Sequence, residues 1–219
     1  MSSQPICRSG NLTGMLPSFA FFLAALVLAV APGPGLAYVV ARTAAGGRAE
    51  GLASCAGTAL GGLFHVGAAA LGLSVLLAQS VAAFSVVKYI GAAYLLYLGI
   101  RLLLSRAGSA PVQTKSTGAR RALLEGILVE ALNVKTALFF LAFLPQFLVS
   151  GTPVVIQLVV MGTVCVVLNT LVDVVAVFGA ARLLRSEARG LQRARLLNNA
   201  SGLTLVGLGL YVALSRRGA

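Results

Sequence analysis

Long apolar segments separated by short polar connectors dominate this chain. A membrane-spanning helix needs roughly 20 predominantly apolar residues, and six segments are long enough. They fall at about 15–41, 50–78, 81–104, 122–149, 153–181 and 196–215. The pattern predicts an all-α integral membrane protein, with one six-helix domain over residues 15–219 and a short N-terminal tail, 1–14.

The connectors divide the chain into two halves. Gly46-Gly47-Arg48 follows the first segment, and the longest polar linker covers residues 108–118. The half-repeats therefore run over about 15–107 and 119–219, with three predicted spans each. Because three is odd, the second half must enter the membrane with the opposite polarity, which is the arrangement of an inverted-topology repeat.

The first apolar segment is interrupted in its middle by Pro32-Gly33-Pro34. Two prolines lack the backbone N–H that a helix needs, so we predict a broken first helix. Hydrocarbon cannot satisfy the freed backbone groups, and such a break is tolerated only beside protein or a water-filled cavity. The alternative is a simple kink that shapes helix packing.

A second irregular site, Asn133-Val134-Lys135, lies one hundred residues later. Valine does not break a helix, so the sequence leaves open whether this span is interrupted. If both breaks form, two half-helix N-termini could face one central cavity and bind a carboxylate. The predicted substrate-binding residues are Pro32, Gly33, Pro34, Gly35, Asn133 and Lys135.

Composition supports a membrane location. Hydrophobic residues make up 58% of the chain and charged residues 10%, whereas soluble domains carry about 25% charged residues. The net charge is +12, but the basic residues lie in connectors and no basic face carries interleaved stacking aromatics. The expected partner is therefore the lipid bilayer and not nucleic acid.

The basic residues also predict the orientation. Twelve flank the connectors after spans one, three and five, and four lie on the opposite side. The positive-inside rule places the first group in the cytoplasm, so both termini are predicted outside. The three cysteines, Cys7, Cys55 and Cys165, form no CxxC pair, and a disulfide framework is not expected.

Two ionisable residues lie deep in apolar segments. Lys135 is inside the fourth span, and it needs a polar partner or water because a lysine at mid-bilayer costs about 2.5–3.5 kcal/mol; snorkelling to the interface is the alternative. Asp173 shares a face of the fifth span with Cys165 and Asn169 at helical spacing. It is a candidate proton carrier, and the alternative is a static ion pair with Lys135.

Other polar residues have two interpretations each. Glu130 could line the entrance to the cavity, whereas Glu125 most simply pairs with Arg121. His65 is included with Asp173 and Glu130 among the proton-coupling candidates, although a lone histidine is also typical of a packed hydrogen-bonding residue. Tyr94, Tyr97 and Arg101 share a face of span three, which we interpret as an interfacial anchor.

No catalytic motif occurs in the sequence. GxSxG, HExxH and Walker-type loops are absent, so we predict a protein that is not an enzyme, needs no cofactor and hydrolyses no ATP. The lone histidine and the cysteines are a poor set of metal ligands. Energy for transport would have to come from an ion gradient.

The chain resembles the LysE/RhtB family of bacterial amino-acid exporters over essentially its whole length. The resemblance is carried by APGPGLAYVVARTAAGGRAEGLASCAGTALGG, VKYIGAAYLLYLGIRLLL, NVKTALFFLAFLPQF and NNASGLTLVGLGLYVAL. The family usually has Asn-Pro-Lys where this chain has Val134, and an asparagine near Glu130. Positions that the family tends to keep match Pro32, Gly33, Pro34, Asn133, Lys135 and Asp173.

This resemblance implies export of an amino acid or a close derivative across the bacterial inner membrane, driven by the proton motive force. Two other functions are kept as alternatives. One is a cation or metal exporter of the wider superfamily, and the other is a membrane scaffold that transports nothing. The glycine-rich helix faces would permit a homodimer.

Overall fold

The computed structural model describes residues 18–73, 75, 81–104, 115–183, 199, 202–203, 205–207 and 209–214, and every regular element in these ranges is a helix. The helices are α1 (Phe19–Val30), α2 (Pro34–Ala68, continued by a π-helical turn at Ala69–Leu73), α3 (Val81–Leu104), α4 (Ala119–Ala131), α5 (Val134–Phe143, followed by a 3₁₀ turn at Leu144–Phe147), α6 (Val154–Leu183) and α7 (Leu205–Leu214).

These helices are apolar enough for a membrane protein. Residues 34–73, which include a turn at Gly47, and residues 154–179 are each long and apolar enough to cross a bilayer, and so are α4 and α5 taken together. The helix α3 coincides with the predicted span 81–104. The tail 1–14 and most of the linker 108–118 lie outside the described residues, so the division into half-repeats and the six-span arrangement remain predictions.

The first helix is broken where the prolines predict. Helix α1 ends at Val30, and α2 begins at Pro34 after an extended Gly33. Proline suits the first position of a helix because its missing N–H would be unpaired there in any case. The new helix is established by the Ala37 N–H, which donates to the Gly33 carbonyl at 3.0 Å.

Helix α2 is a hairpin of two arms that turns at Gly47. This glycine has φ +72°, a left-handed conformation that residues with a Cβ rarely adopt. Arg42 Nη1 and Glu50 Oε2 lie 3.8 Å apart, although residues eight apart on a straight helix are separated by about 12 Å. Farther from the turn, Gly35 faces Thr58. The predicted connector at 46–48 is therefore confirmed as a reversal of the chain.

The fourth predicted span is also broken, which resolves the question that Val134 left open. Helices α4 and α5 meet at a bend of 44°. Asn133 is the N-cap of α5, and its side chain accepts a hydrogen bond from the Lys135 N–H at 3.1 Å. The break thus needs no proline, because the asparagine side chain satisfies a free N–H of the new helix.

Glycines bring the second arm of α2 against α4. A Cβ on Gly61 would lie 2.6 Å from the Ile127 carbonyl oxygen, and one on Gly57 would overlap the Leu123 carbonyl. Gly126 faces the α2 backbone in return. The two backbones therefore approach more closely than larger side chains would allow, as is common between membrane helices.

An aromatic cluster ties α1 to α5 on the other side of the breaks. Phe139 and Phe143 stack with ring centroids 4.7 Å apart, and Phe147 lies 4.8 Å from Phe143. Phe21 of α1 packs edge-on against Phe147 at 5.5 Å. This packing holds the two broken helices side by side, so that their interruptions lie next to each other.

Candidate functional site

Lys135 of α5 binds the end of α1. Its Nζ donates to the carbonyl oxygens of Leu28 at 3.2 Å and Ala31 at 2.8 Å. The nitrogen four residues after Leu28 belongs to Pro32 and carries no proton, so the Leu28 carbonyl lacks its usual helical donor. The lysine supplies that donor and places a positive charge at the negative end of the α1 dipole. Lys135 is 8% exposed, so it points inward and does not snorkel.

Glu130, the penultimate residue of α4, faces the start of α2. Its Oε2 accepts from Asn133 Nδ2 at 2.9 Å and its Oε1 from Thr136 Oγ1 at 2.7 Å. A Cβ on Gly35, in the first turn of α2, would lie 2.5 Å from Oε2. A carboxylate at a helix N-terminus is electrostatically favourable. The N-terminus of α2 is therefore occupied by a carboxylate of the protein itself.

The second break thus complements the first. Lys135 compensates the C-terminal end of α1, and Glu130 compensates the N-terminal end of α2. Both residues flank Asn133, which interrupts the helix between them. This crossing of two interrupted helices is a polar centre inside the bundle.

Asp173 of α6 lies beside this centre. Thr58 Oγ1 is 3.0 Å from Asp173 Oδ2, within hydrogen-bonding distance. None of the ion pairs found among the described residues joins Lys135 to Asp173, so the predicted alternative of a static pair between them is not formed. The helix face predicted for α6 is confirmed, because Cys165, Asn169 and Asp173 line one cavity.

His65 lies behind Glu130. Its Nε2 is 2.7 Å from the Glu130 carbonyl oxygen, and a carbonyl can only accept, so the imidazole donates from Nε2. The ring also contacts Phe140. Among the proton-coupling candidates it therefore has the geometry of a packed hydrogen-bonding residue.

Two cavities adjoin the crossing. The smaller has a volume of about 30 Å³, which is room for roughly one water molecule. Its polar lining consists of Thr58, Glu130, Asn133, Lys135, Thr136, Asn169, Thr170 and Asp173. The buried acids Glu130 and Asp173 therefore line the same cavity as Lys135.

The larger cavity has a volume of about 350 Å³, within the range of small-molecule sites. It is lined by Pro32, Gly33, Pro34, Tyr94, Leu98, Arg101, Leu132, Asn133, Val134, Lys135 and Leu205. Asn133 and Lys135 line both cavities.

The cavities separate the predicted site residues into two groups. Five of the six substrate-binding candidates line the larger cavity, and Gly35 lines the smaller one. The proton-coupling candidates Asp173 and Glu130 line the smaller cavity, whereas His65 lines neither.

Sequence reasoning missed Tyr94 and Arg101 as cavity residues. Both lie on the α3 face that lines the larger cavity, together with Leu98. The shared face was visible as a spacing of seven residues, but the same spacing suits an interfacial anchor. Tyr97 lies away from this cavity and is exposed.

A second ionic cluster closes the turn end of the α2 hairpin. Arg42 Nη2 pairs with Glu125, whose other oxygen accepts from Arg121 Nε at 2.8 Å, which confirms the predicted pair. Glu50 Oε1 accepts from Ser116 Oγ and from the backbone N–H groups of 117 and 118, at 2.6–3.0 Å. These contacts fasten the α2 turn to the start of α4.

Potential metal ligands are scattered. In the part of the chain that the structure describes, no three histidine, cysteine or acidic side chains converge on one point. Cys55 and Cys165 are buried free thiols, and Cys7 lies outside the described residues.

Comparison with known proteins finds relatives that match most of this chain. A homoserine/homoserine lactone efflux protein of Salmonella typhimurium is 31% identical over 205 residues, which cover 90% of this chain and 96% of the relative. Uncharacterized membrane proteins of Vibrio cholerae and Bacillus subtilis are 29% and 27% identical, each over 90% of this chain and 96% and 98% of the relatives. No solved structure matches significantly.

The chain also matches a family of translocators over most of its length. Residues 26–216 match the family described as LysE type translocator. That range includes both helix breaks, both cavities and the ionic cluster at the α2 turn. The chain therefore belongs to the LysE type translocator family.

Proposed function

We infer that this translocator exports an amino acid or a close derivative from the cytoplasm and couples export to proton entry. The observation that carries this proposal is the pair of cavities at the crossing. One is large enough for a small metabolite, and the other holds two buried carboxylic acids. Lys135 and Asn133 line both cavities, so a movement of either side chain changes the lining of both.

The substrate class follows from the larger cavity and from the relatives. Helix α5 begins at its wall, at Val134, and the amide groups at a helix N-terminus favour an anionic group. The Salmonella relatives are homoserine and homoserine lactone efflux proteins. A small, polar amino acid or its derivative is the substrate that fits both observations.

Proton coupling is assigned to the smaller cavity. A proton that binds Asp173 removes a negative charge beside Lys135, whose ammonium holds the end of α1. The buried ammonium is then less stable at the end of α1, and its release would free the half-helices to move. Alternating access would follow by rocking of one repeat against the other. Glu130, which faces the start of α2, would respond to the same charge change.

The proposed setting is the bacterial inner membrane, with six spans, an inverted 3+3 repeat and both termini outside. The repeat is supported by the helix starts, since Phe19 and Ala119 lie one hundred residues apart, as do Pro34 and Val134. Glycines with open space beside them, such as Gly67, leave room for contact in a homodimer.

Efflux from proteoliposomes tests the coupling. The purified protein is reconstituted, vesicles are loaded with radiolabelled amino acids, and efflux is measured with and without an inwardly directed proton gradient. The wild-type protein should respond to the gradient. Asp173→Asn should lose that response but still exchange labelled for unlabelled substrate.

Two control variants separate coupling from folding. Asp173→Glu keeps a titratable carboxyl and should retain part of the response, whereas Cys165→Ala alters the same cavity wall without removing a charge. A gradient response that persists unchanged in Asp173→Asn would show that this residue has no role in coupling.

A further inference from the structure

We propose that Arg101, assisted by Tyr94, binds the α-carboxylate of the substrate in the larger cavity. The inference rests on the proposed export of amino acids and names the group that recognises them. Arg101 lies on α3 and lines the cavity that also contains residues of both helix breaks and Leu205 of α7.

The helix geometry places Arg101 and Tyr94 along one wall. Tyr94, Leu98 and Arg101 follow the spacing i, i+4 and i+7, and all three line the cavity. Seven residues of helix cover about 10 Å along this wall. The same cavity is also lined by Pro32–Pro34 and by Asn133–Lys135. A substrate in the cavity can therefore lie near both Arg101 and a helix break.

The charges of this cavity favour an anion. Its described lining contains two cationic residues, Arg101 and Lys135, and no carboxylate. The buried acids Glu130 and Asp173 line the smaller cavity and not this one. A carboxylate that enters the larger cavity thus meets positive charge without competition from an acidic side chain of its wall.

Arg101 is better suited than Lys135 to bind the substrate. Two of the three Lys135 donors are used by the α1 carbonyls. Arg101 makes no ion pair with any carboxylate in the described part of the chain. Its planar guanidinium can bind both oxygens of a carboxylate at once, a geometry that lysine does not provide. The phenol of Tyr94 can add a further hydrogen bond.

The test compares substrates that differ only at the carboxyl group. Proteoliposomes are assayed with the common L-amino acids and L-homoserine, and the best-transported acid is then compared with its amide, or homoserine with its lactone. Arg101→Gln should reduce transport of the free acid by about tenfold or more, the effect of losing one charge-assisted interaction. Transport of the amide or of the lactone, whose carboxyl group is blocked, should change by less than about twofold.

Two matched variants complete the design. Arg101→Lys should restore part of the transport of the free acid, because it keeps the charge but not the planar fork. Arg48→Gln removes the same charge from an exposed position outside the cavity and should leave both substrates unaffected.

The outcomes separate this inference from the proposed function. Equal losses for the acid and its blocked partner in Arg101→Gln, or no loss for either, would overturn the role of Arg101 while export by the wild-type protein stands. A wild-type protein that carries no compound of the panel would overturn the proposed function, and the role of Arg101 with it.

Discussion

The contact between Lys135 and the end of α1 can be tested by a double-mutant cycle with Pro32. Lys135→Met leaves the carbonyls of Leu28 and Ala31 without their side-chain donor. A buried acceptor without a partner costs about 1–3 kcal/mol, but removal of a buried ammonium returns a desolvation cost of about 2.5–3.5 kcal/mol. The single variant therefore combines two opposing effects of similar size.

Lys135→Met is made once with proline at position 32 and once with alanine there. The desolvation cost of the ammonium is removed in both cases, so it cancels in the difference. Pro32→Ala supplies an N–H and lifts the restriction that proline places on Ala31, whose extended backbone ends α1. With Ala31 in the helical conformation, this N–H donates to the Leu28 carbonyl. In the wild-type background this carbonyl already accepts from Lys135 at 3.2 Å, so the new N–H should add little. In the Lys135→Met background it should recover one hydrogen bond, about 1 kcal/mol in the free energy of unfolding.

Unfolding would be followed by circular dichroism during titration of a denaturing detergent into mixed micelles. Pro34→Ala is the matched control, because its nitrogen is four residues after Val30, whose carbonyl Lys135 does not contact. A coupling energy between Pro32 and Lys135 below about 0.3 kcal/mol, the usual limit of additivity, would refute our account of why the lysine is needed.

Two further predictions concern the break and the turn of α2. Gly35→Ala places a methyl group 2.5 Å from Glu130 Oε2; we expect efflux to fall severalfold while expression is retained. Gly72→Ala, with open space beside it, should behave as wild type, and equal efflux in both variants would contradict the role of this contact. Glu50→Ala removes the acceptor for three donors at 116–118 and should lower the stability of the protein, because each of these donors loses its partner. Trypsin should then cut the 105–121 region faster, whereas unchanged cleavage kinetics would show that Glu50 does not fasten this connector.

The sequence by itself determined the helical character of the protein and the positions of its main interruptions. Apolar length alone predicts α3 at 81–104, because bilayer thickness sets how many apolar residues a span needs. The break at Pro32 and the reversal at Gly47 follow from local chemistry, since proline lacks a donor and glycine tolerates positive φ. The span count and the positions of the breaks also predict two related halves, which stays a prediction.

Local chemistry was less decisive at Asn133. Valine at 134 permits a helix to continue, whereas asparagine favours a cap, and the two tendencies are of similar strength. In the folded protein the Asn133 side chain makes two hydrogen bonds at the interruption. It accepts from the Lys135 N–H and donates to Glu130 at 2.9 Å.

Only the tertiary structure decided which groups meet. Lys135 was predicted to point inward, but its partners are carbonyls more than one hundred residues away, and no sequence pattern links them. Arg101 carries the same spacing whether it anchors a helix at the interface or lines a cavity. Helical periodicity fixes which residues share a face, whereas the packing of distant helices determines what that face contacts.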